Sequence, residues 1–390
     1  MNAQYDVVIV GAGLVGLSLA PALARTGLAV ALVDRGSISD VDSDVEEFDP
    51  RVYAVSPGSA AFLRAIGAWQ ALRCERVAPI ESMHVWGDGG GSIEFSAYDL
   101  GERALAWVLE ERELRAALLR TVRRATVELI GNATLDAIAW SASAATLKLA
   151  DGNRFDARLV IGADGARSWV RQAAGIVAEP KPYGQTAVVA NFACERAHHG
   201  RAFQWFRDDG GVLAWLPLPA RRISMVWSAP DALAQSLLDE KSETLSARVA
   251  AAGRHALGAL ECIAPSAGFP LRFLRLPTSV ALRLALVGDA AHGVHPLAGQ
   301  GVNLGFGDAQ TLAAVLAERG PVSDAGAPVL LERYARRRAE PVLAMQAVTD
   351  GLARLFGPPT PWLKSLRNAG ISAVDRLPLL KRALAQPALR

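Results

Sequence analysis

Leu286-Val287-Gly288-Asp289-Ala290-Ala291-His292, followed by Pro296, Gly299-Gln300-Gly301 and Asn303, is the stretch that decides how this chain is read. Leu282 to Val287 has the apolar run of a buried strand, and the residues after Gly301 carry the spacing of a helix. The strand therefore delivers a glycine and a carboxylate to a turn that opens a helix. Glycines there let backbone N–H groups approach a planar ring edge closely, and a helix N-terminus favours negative charge on that ring. Taken alone, the stretch is equally the sequence of a plain strand, turn and helix with glycines chosen for the turn.

A second glycine loop, almost the whole chain away, changes that balance. Tyr5 to Val10 is an apolar run too short for a helix, and it enters Gly11-Ala12-Gly13-Leu14-Val15-Gly16. An amphipathic segment follows to about Arg25, closed by Gly27, and a second strand runs from Ala29 to Val33 and ends at Asp34. This is the start of a βαβ unit. A pyrophosphate can approach bare backbone at Gly11, Gly13, Leu14, Val15 and Gly16 and sit on the helix N-terminus. Asp34, eighteen residues after Gly16, stands with Arg35 where an acid would accept the adenosine ribose hydroxyls. From this end NAD and FAD remain open. The distant stretch resolves the choice, because Asp289 is placed to accept hydrogen bonds from ribityl hydroxyls while the glycines near 300 border a flavin. The expected cofactor is FAD.

Composition narrows the class. With 390 residues, 51% hydrophobic and 21% charged, the chain can bury a sizeable core in two or three domains. A net charge of +2 and the lack of basic residues interleaved with aromatics argue against nucleic acid. Cys74, Cys194 and Cys262 are far apart and lack CxxC spacing, and His198-His199 have no acid or cysteine at ligand spacing, so no disulfide framework or metal site is expected. A reducing, cytoplasmic setting fits this usage best. The run from Val7 to Val10 reads as a first strand rather than a signal peptide, and no uninterrupted apolar stretch reaches the roughly 18 residues of a spanning helix.

The expected fold class is α/β: a discontinuous Rossmann-like FAD-binding domain, a β-sheet substrate domain and a C-terminal helical region. The FAD-binding domain is expected from residues 1–75, 100–181 and 274–340, the β-rich domain from 76–99 and 182–273, and the helices from 341–390. Acidic residues between Ser37 and Pro50 read as a solvated loop, and Ser56-Pro57 caps a helix running to about Leu72. Gly87 to Gly91 reads as a turn, Pro341 as the start of a new helix and Gly357-Pro358-Pro359 as a break. Phe203, Trp205 and Trp227 suit either an aromatic pocket or a core, and the Arg333, Arg336, Arg337, Arg338 cluster reads as a solvated helix face. In the tail from Pro361, Lys364, Arg367, Arg376, Lys381, Arg382 and Arg390 oppose only Asp375 beside Trp362 and leucines, which suggests a peripheral membrane contact.

Five segments carry a family resemblance. They are Gly11 to Gly16; Asp49-Pro50-Arg51 running into Ala54 and Ser56; Glu111-Arg112-Glu113-Leu114; Gly162-Ala163-Asp164-Gly165-Ala166-Arg167-Ser168; and Gly288 to Asp308. The chain resembles the FAD-dependent aromatic hydroxylases of the para-hydroxybenzoate hydroxylase class. Through His295-Pro296-Leu297-Ala298-Gly299-Gln300-Gly301-Val302-Asn303-Leu304-Gly305 with Asp308, it most resembles the ubiquinone-biosynthesis hydroxylases. The resemblance implies that Gly288 and Asp289 hold the ribityl chain, that Pro296, Gly299, Gln300, Gly301, Val302 and Asn303 line the flavin, and that Arg51, Arg112 and Asp164 contact the cofactor. Asp34 departs from it, since the family more often has glutamate there.

The reaction implied is hydride transfer from NAD(P)H to the flavin, O₂ addition at C4a and delivery of a hydroxyl to a prenylated phenol, a quinone precursor. Proteins of a ubiquinone-biosynthesis complex and the inner face of a membrane are the further partners implied. No general base stands out; His295, Pro296 and Gln300 are the candidates near the flavin, and a structural role is favoured for His292 and His295. Gln185 and Trp215-Leu216-Pro217-Leu218 would lie on the substrate sheet. The alternatives are another flavin oxidoreductase of this fold, such as a halogenase or prenyl reductase, and a non-catalytic FAD-binding scaffold.

Overall fold

Val7, Val8 and Ile9 have no exposed surface, as a strand buried on both faces requires, and they form the centre of a mostly parallel sheet. The computed structural model describes residues 3–39, 48–295, 299–320, 323–356 and 361–375, with 381, 382, 386 and 389. Pro296, the acidic residues in 40–47, the Gly357-Pro358-Pro359 break, Arg376 and Arg390 lie outside the described residues. The helices are α1 (Leu14–Ala24), α2 (Pro57–Ile66), α3 (Ala97–Leu100), α4 (Glu111–Arg123), α5 (Trp169–Ala173), α6 (Asp231–Asp239), α7 (Ser242–Ala252), α8 (Gly301–Ala317), α9 (Pro328–Leu355) and α10 (Pro361–Asp375).

Five parallel strands lie in the order Leu284–Leu286, Arg154–Gly162, Ala3–Val10, Val30–Val33 and Val127–Ile130. Register pairs Val10 with both Gly162 and Val33, so the strands finish level. α1, α4 and α8 cover one face through Leu17, Leu114, Leu118, Phe306 and Leu312, all fully buried. Each such leucine contributes about 1.5–3 kcal/mol of burial.

A second sheet runs from Ser92–Ser96 through Ser82–Trp86, Arg201–Phe206, Val212–Leu218, Arg222–Pro230 and Lys181–Cys194 to Ala267–Arg275. Its two faces differ. Phe203, Trp205, Leu213, Trp215, Met225, Trp227, Val188 and Phe192 pack with Leu237, Leu245 and Val249 of α6 and α7. The aromatic pocket considered for Phe203, Trp205 and Trp227 is therefore the core behind the sheet. Period-two alternation sends Gln185, Ala187, Val189 and Asn191 to the other face.

Three local expectations are corrected. Ala78–Ile80, grouped with the substrate sheet, pairs instead with Ala106–Glu110 in a three-stranded sheet completed by Val52–Val55. α2 stops at Ile66 because Gly67 adopts φ 88, and only a short 3-10 turn, Trp69–Ala71, follows. Pro341 lies inside α9 and opens no new helix. Tertiary contacts override the proline: Leu330, Leu331 and Tyr334 are buried on one side of it, and Gln346, Thr349 and Phe356 on the other.

The tail packs against the Gly87–Gly91 turn. Asn368 Oδ1 accepts from Gly89 N at 3.0 Å and Gly91 N at 3.1 Å, and a Cβ on Gly91 would collide with the Asn368 backbone. Arg367 and Asp88 form an ion pair with almost no exposed surface. Lys364 pairs with Asp208, Lys381 with Asp375, and Arg382 donates to Asp99 O, so these tail cations are engaged within the chain.

Candidate active site

The level strand ends bring the site together. Val10, Val33, Gly162 and Leu286 end at one edge, and the residues just beyond them are Gly11, Asp34, Ala163-Asp164 and Gly288-Asp289. In open α/β sheets the carboxyl edge of the strands is where ligands bind. Gly11 adopts φ +112, and a Cβ there would run into the Ala163 backbone. Only glycine permits both the conformation and the approach.

Two helices open onto this edge without side-chain caps, α1 after Gly13 and α8 after Gln300. A Cβ on Gly13 or Gly301 would meet nothing within 4 Å, so the space over both N-termini is open. α1 and α8 are adjacent, since a Cβ on Gly305 would strike Val15 and one on Gly288 would crowd it. The free first-turn N–H groups and two positive dipole ends suit an anionic, elongated ligand. Asp289 is solvent-accessible and accepts no hydrogen bond among the described residues. The surrounding protein mass pushes its carboxyl upward, more than His292 and Arg51 lower it. Arg112 is half-buried, and among the described residues its guanidinium has no partner. Open helix N-termini, with a carboxylate and a guanidinium that have no partner among the described residues, fit the pyrophosphate and polyhydroxyl chain of FAD.

Other expected contacts are engaged by the protein itself. Asp34 accepts from Ala12 N at 2.6 Å and Gly36 N at 2.7 Å, bracing the glycine loop, while Arg35 is exposed beside it. Asp164 caps α5 through Ser168 and Val170 N. Asn303 donates to Ala54 O at 2.9 Å and accepts from Ser56 N at 3.0 Å, tying α8 to the strand Val52–Val55. Gln300 and Val302 are buried beside it, Gly299 turns with φ +65, and Arg51 is half-exposed and paired with Glu111 at 3.0 Å. His198 binds Leu218 O and Gly200 N with its two ring nitrogens.

Behind Gly288 lies a buried hub. Asp308 accepts from Gly288 N at 2.9 Å, from His292 Nε2 at 2.6 Å and from Arg338 Nε at 2.6 Å. Burial opposes the Asp308 charge, but His292, Arg338 and the Gly288 N–H outweigh it, and its carboxyl sits below the usual range. Burial likewise opposes a charged His292, yet Asp308 outweighs it and raises the imidazole. His292 thus serves the turn, as favoured. Arg338 leaves the solvated face expected of its cluster because it lies one turn beyond Tyr334 on the buried side of α9.

Sequence reasoning missed two further arginines. Arg115 Nη1 donates to Ala12 O at 2.6 Å; its spacing of three from Arg112 on α4 was the available signal. Arg171, only 3% exposed, donates to Ala290 O and Ala166 O and so joins the two distant motifs. No local pattern marks it.

The second sheet meets the cleft at His295, whose Nε2 lies 2.9 Å from Gln185 Oε1. Beyond Gln185 the same sheet face carries buried Ala187, Val189 and Ser228 and half-buried Ala214, Leu216 and Val226. These are small or apolar residues, and Leu216 packs against the cluster of Phe48, Ala54, Ile80 and Val108. At the far end Asn191 and Ser224, cross-strand partners, each bury an oxygen with no partner among the described residues.

A discontinuous nucleotide sheet whose open glycine turns face a second sheet is the architecture of a flavin-dependent monooxygenase. The FAD binding domain family matches residues 4–349. The chain is 38% identical to the ubiquinone hydroxylase of Rhodospirillum rubrum, over 98% of this chain and 89% of that one. It is 34% identical to the 3-demethoxyubiquinol 3-hydroxylase of Escherichia coli, over 100% and 99%. A probable FAD-dependent monooxygenase of Pseudomonas aeruginosa, PqsL, superposes with a TM-score of 0.77 at 26% identity, covering 94% of this chain and 99% of that one. The chain belongs to the FAD-dependent aromatic hydroxylases, in their ubiquinone-biosynthesis hydroxylase family.

Proposed function

We propose that this chain hydroxylates the ring of a prenylated phenol on the route to ubiquinone, using FAD, NAD(P)H and O₂. The observation that carries the reading is the 2.9 Å contact between His295 and Gln185, which joins the loop at the flavin end of the cleft to the substrate sheet. A ring lying on that sheet would meet the cofactor edge-on. Bound FAD would supply the redox chemistry, taking two electrons from the nicotinamide and delivering one atom of O₂ to the ring while the other leaves as water.

The chain's own residues would bind, orient and exclude water. Gly11 to Gly16 would cradle the pyrophosphate with Arg112 as counter-charge, Asp34 and Arg35 would border the ribose, and Gly288 and Asp289 would hold the ribityl hydroxyls. Gly299 to Asn303 would border the flavin, with the dipole of α8 favouring negative charge on the ring edge. Ala187, Val189 and Val226 would keep the reacting face dry. No helix among the described residues is long and apolar enough to cross a membrane. Peripheral contact of the C-terminal region with the inner membrane is part of this reading, supported by the apolar substrate class and by exposed Leu343, Val348 and Leu355 on α9.

The test is aerobic incubation of FAD-loaded protein with NADH or NADPH and 2-prenylphenol. The expected result is substrate-stimulated nicotinamide oxidation with one oxygen atom added to the ring, without halide dependence. Absence of ring-oxidised product, with flavin retained, would refute the reading and favour a flavin-binding scaffold.

A further inference from the structure

His295 lies in the loop that leads into α8, with 1% of its surface exposed. Its Nε2 faces Gln185 Oε1 at 2.9 Å, and the Gln185 amide is in turn oriented because its Nε2 donates to Gly210 O at 3.0 Å. An amide oxygen only accepts, so the imidazole proton must be on Nε2. Nδ1 is then a bare acceptor. It is buried and has no partner among the described residues.

A buried acceptor without a protein partner calls for a donor from a ligand. Tyr183 packs edge-on against His295, with ring centroids 5.0 Å apart, and its hydroxyl is also buried without a partner among the described residues. Between Pro182 and Thr186 the strand carries an irregularity, a device that re-aims side chains next to active sites. The two residues in edge-on contact, at the meeting of the loop before α8 and the second sheet, thus each carry a buried polar atom with no partner among the described residues, and one hydroxyl of a ligand would satisfy the His295 acceptor. On the same sheet face, Asn191 and Ser224, whose buried oxygens also lack partners among the described residues, lie six residues farther along the strand from Gln185, roughly 20 Å away.

We infer that His295, oriented by Gln185, accepts a hydrogen bond at Nδ1 from the ring hydroxyl of the substrate and so selects a free phenol over its ether. This rests on the function proposed above and assigns the substrate's polar end. Burial holds the imidazole down to about 4, against the opposing pull of Asp350, so it is neutral near pH 7. The groups facing it are Tyr183, whose hydroxyl burial pushes up to about 12, and Asp350, itself paired with Arg354 at 2.9 Å. A neutral acceptor raises electron density on the ring without removing the proton. That is the polarisation an electron-rich ring needs before electrophilic attack.

The test is calorimetric titration of FAD-loaded protein with 2-prenylphenol and with its methyl ether. Wild type is expected to prefer the phenol by roughly five- to tenfold, the value of one net hydrogen bond. His295→Gln keeps a donor at the ε position for Gln185 but removes the δ acceptor, so the preference should fall to about one. His295→Asn keeps an acceptor at the δ position and should retain most of the preference. Unchanged discrimination in His295→Gln, with hydroxylation intact in wild type, would overturn the inference alone. If wild type binds neither ligand, the substrate reading fails and this assignment falls with it.

Discussion

Replacing Asp308 with Asn tests the hub that positions the Gly288-Asp289 turn. The carboxylate is 1% exposed and receives three donors, at 2.6, 2.6 and 2.9 Å, from His292, Arg338 and Gly288. Asparagine keeps one oxygen, but its amide sets donors against donors. His292 can shed its proton in response, whereas the largely buried Arg338 loses its anionic partner. Breaking a buried pair in this way costs about 3–5 kcal/mol, against about 0.5 kcal/mol for a surface change. Urea unfolding followed by tryptophan fluorescence should show that loss. The pH dependence carries a sign as well. Asp308 raises the folded His292 above its unfolded value of about 6.5, so its stabilisation is full below that pH and fades as pH rises through the folded value. Asp308 is depressed, so its share is present above the unfolded carboxylate value of about 3.9 and is lost as pH falls through the folded value. Wild type should therefore weaken above about pH 6.5 through His292, and the Asp308→Asn variant should not. A stability loss below about 1 kcal/mol, or an unchanged alkaline slope, would refute the assignment of Asp308 as the hub.

Gly11→Ala forces a side chain into φ +112 and into the Ala163 backbone, so purified protein should be colourless when flavin absorbance is read. Asp289→Ala removes the accessible carboxylate and should weaken FAD binding roughly tenfold or more in a fluorescence titration, with the fold kept by circular dichroism. Asn303→Ala removes the hydrogen bonds that its side chain makes with Ser56 N–H and Ala54 C=O and should cost about 1–3 kcal/mol in the same unfolding assay. Asn368→Ala strips the acceptor from Gly89 and Gly91 and should speed proteolytic cleavage ahead of α10 while leaving flavin content unchanged.

Period and punctuation were enough to locate the nucleotide sheet. Val7 to Val10 running into Gly11, and Leu286 running into Gly288, are local patterns, and both strands finish at the same edge. The helix start at Ser56-Pro57 was equally legible, because the cap is a contact between neighbours, Ser56 Oγ and Ser59 N. Pro341 misled because the packing of α9 on both sides of it is non-local. The tryptophans were ambiguous for a related reason: alternation along a strand separates two faces but does not say which one meets the cofactor.

The chain's own order of residues thus determined the cofactor class and the glycine turns at the strand ends, since glycine conformations, strand runs and helix starts are decided within a few neighbours. Only the folded molecule decided that His295 meets Gln185 across 110 positions, that Asp308 gathers Gly288, His292 and Arg338, and that Arg171 joins Ala290 to Ala166. Those partners are chosen by which buried polar groups would otherwise lack a hydrogen bond, and that need arises only when distant segments close over one another.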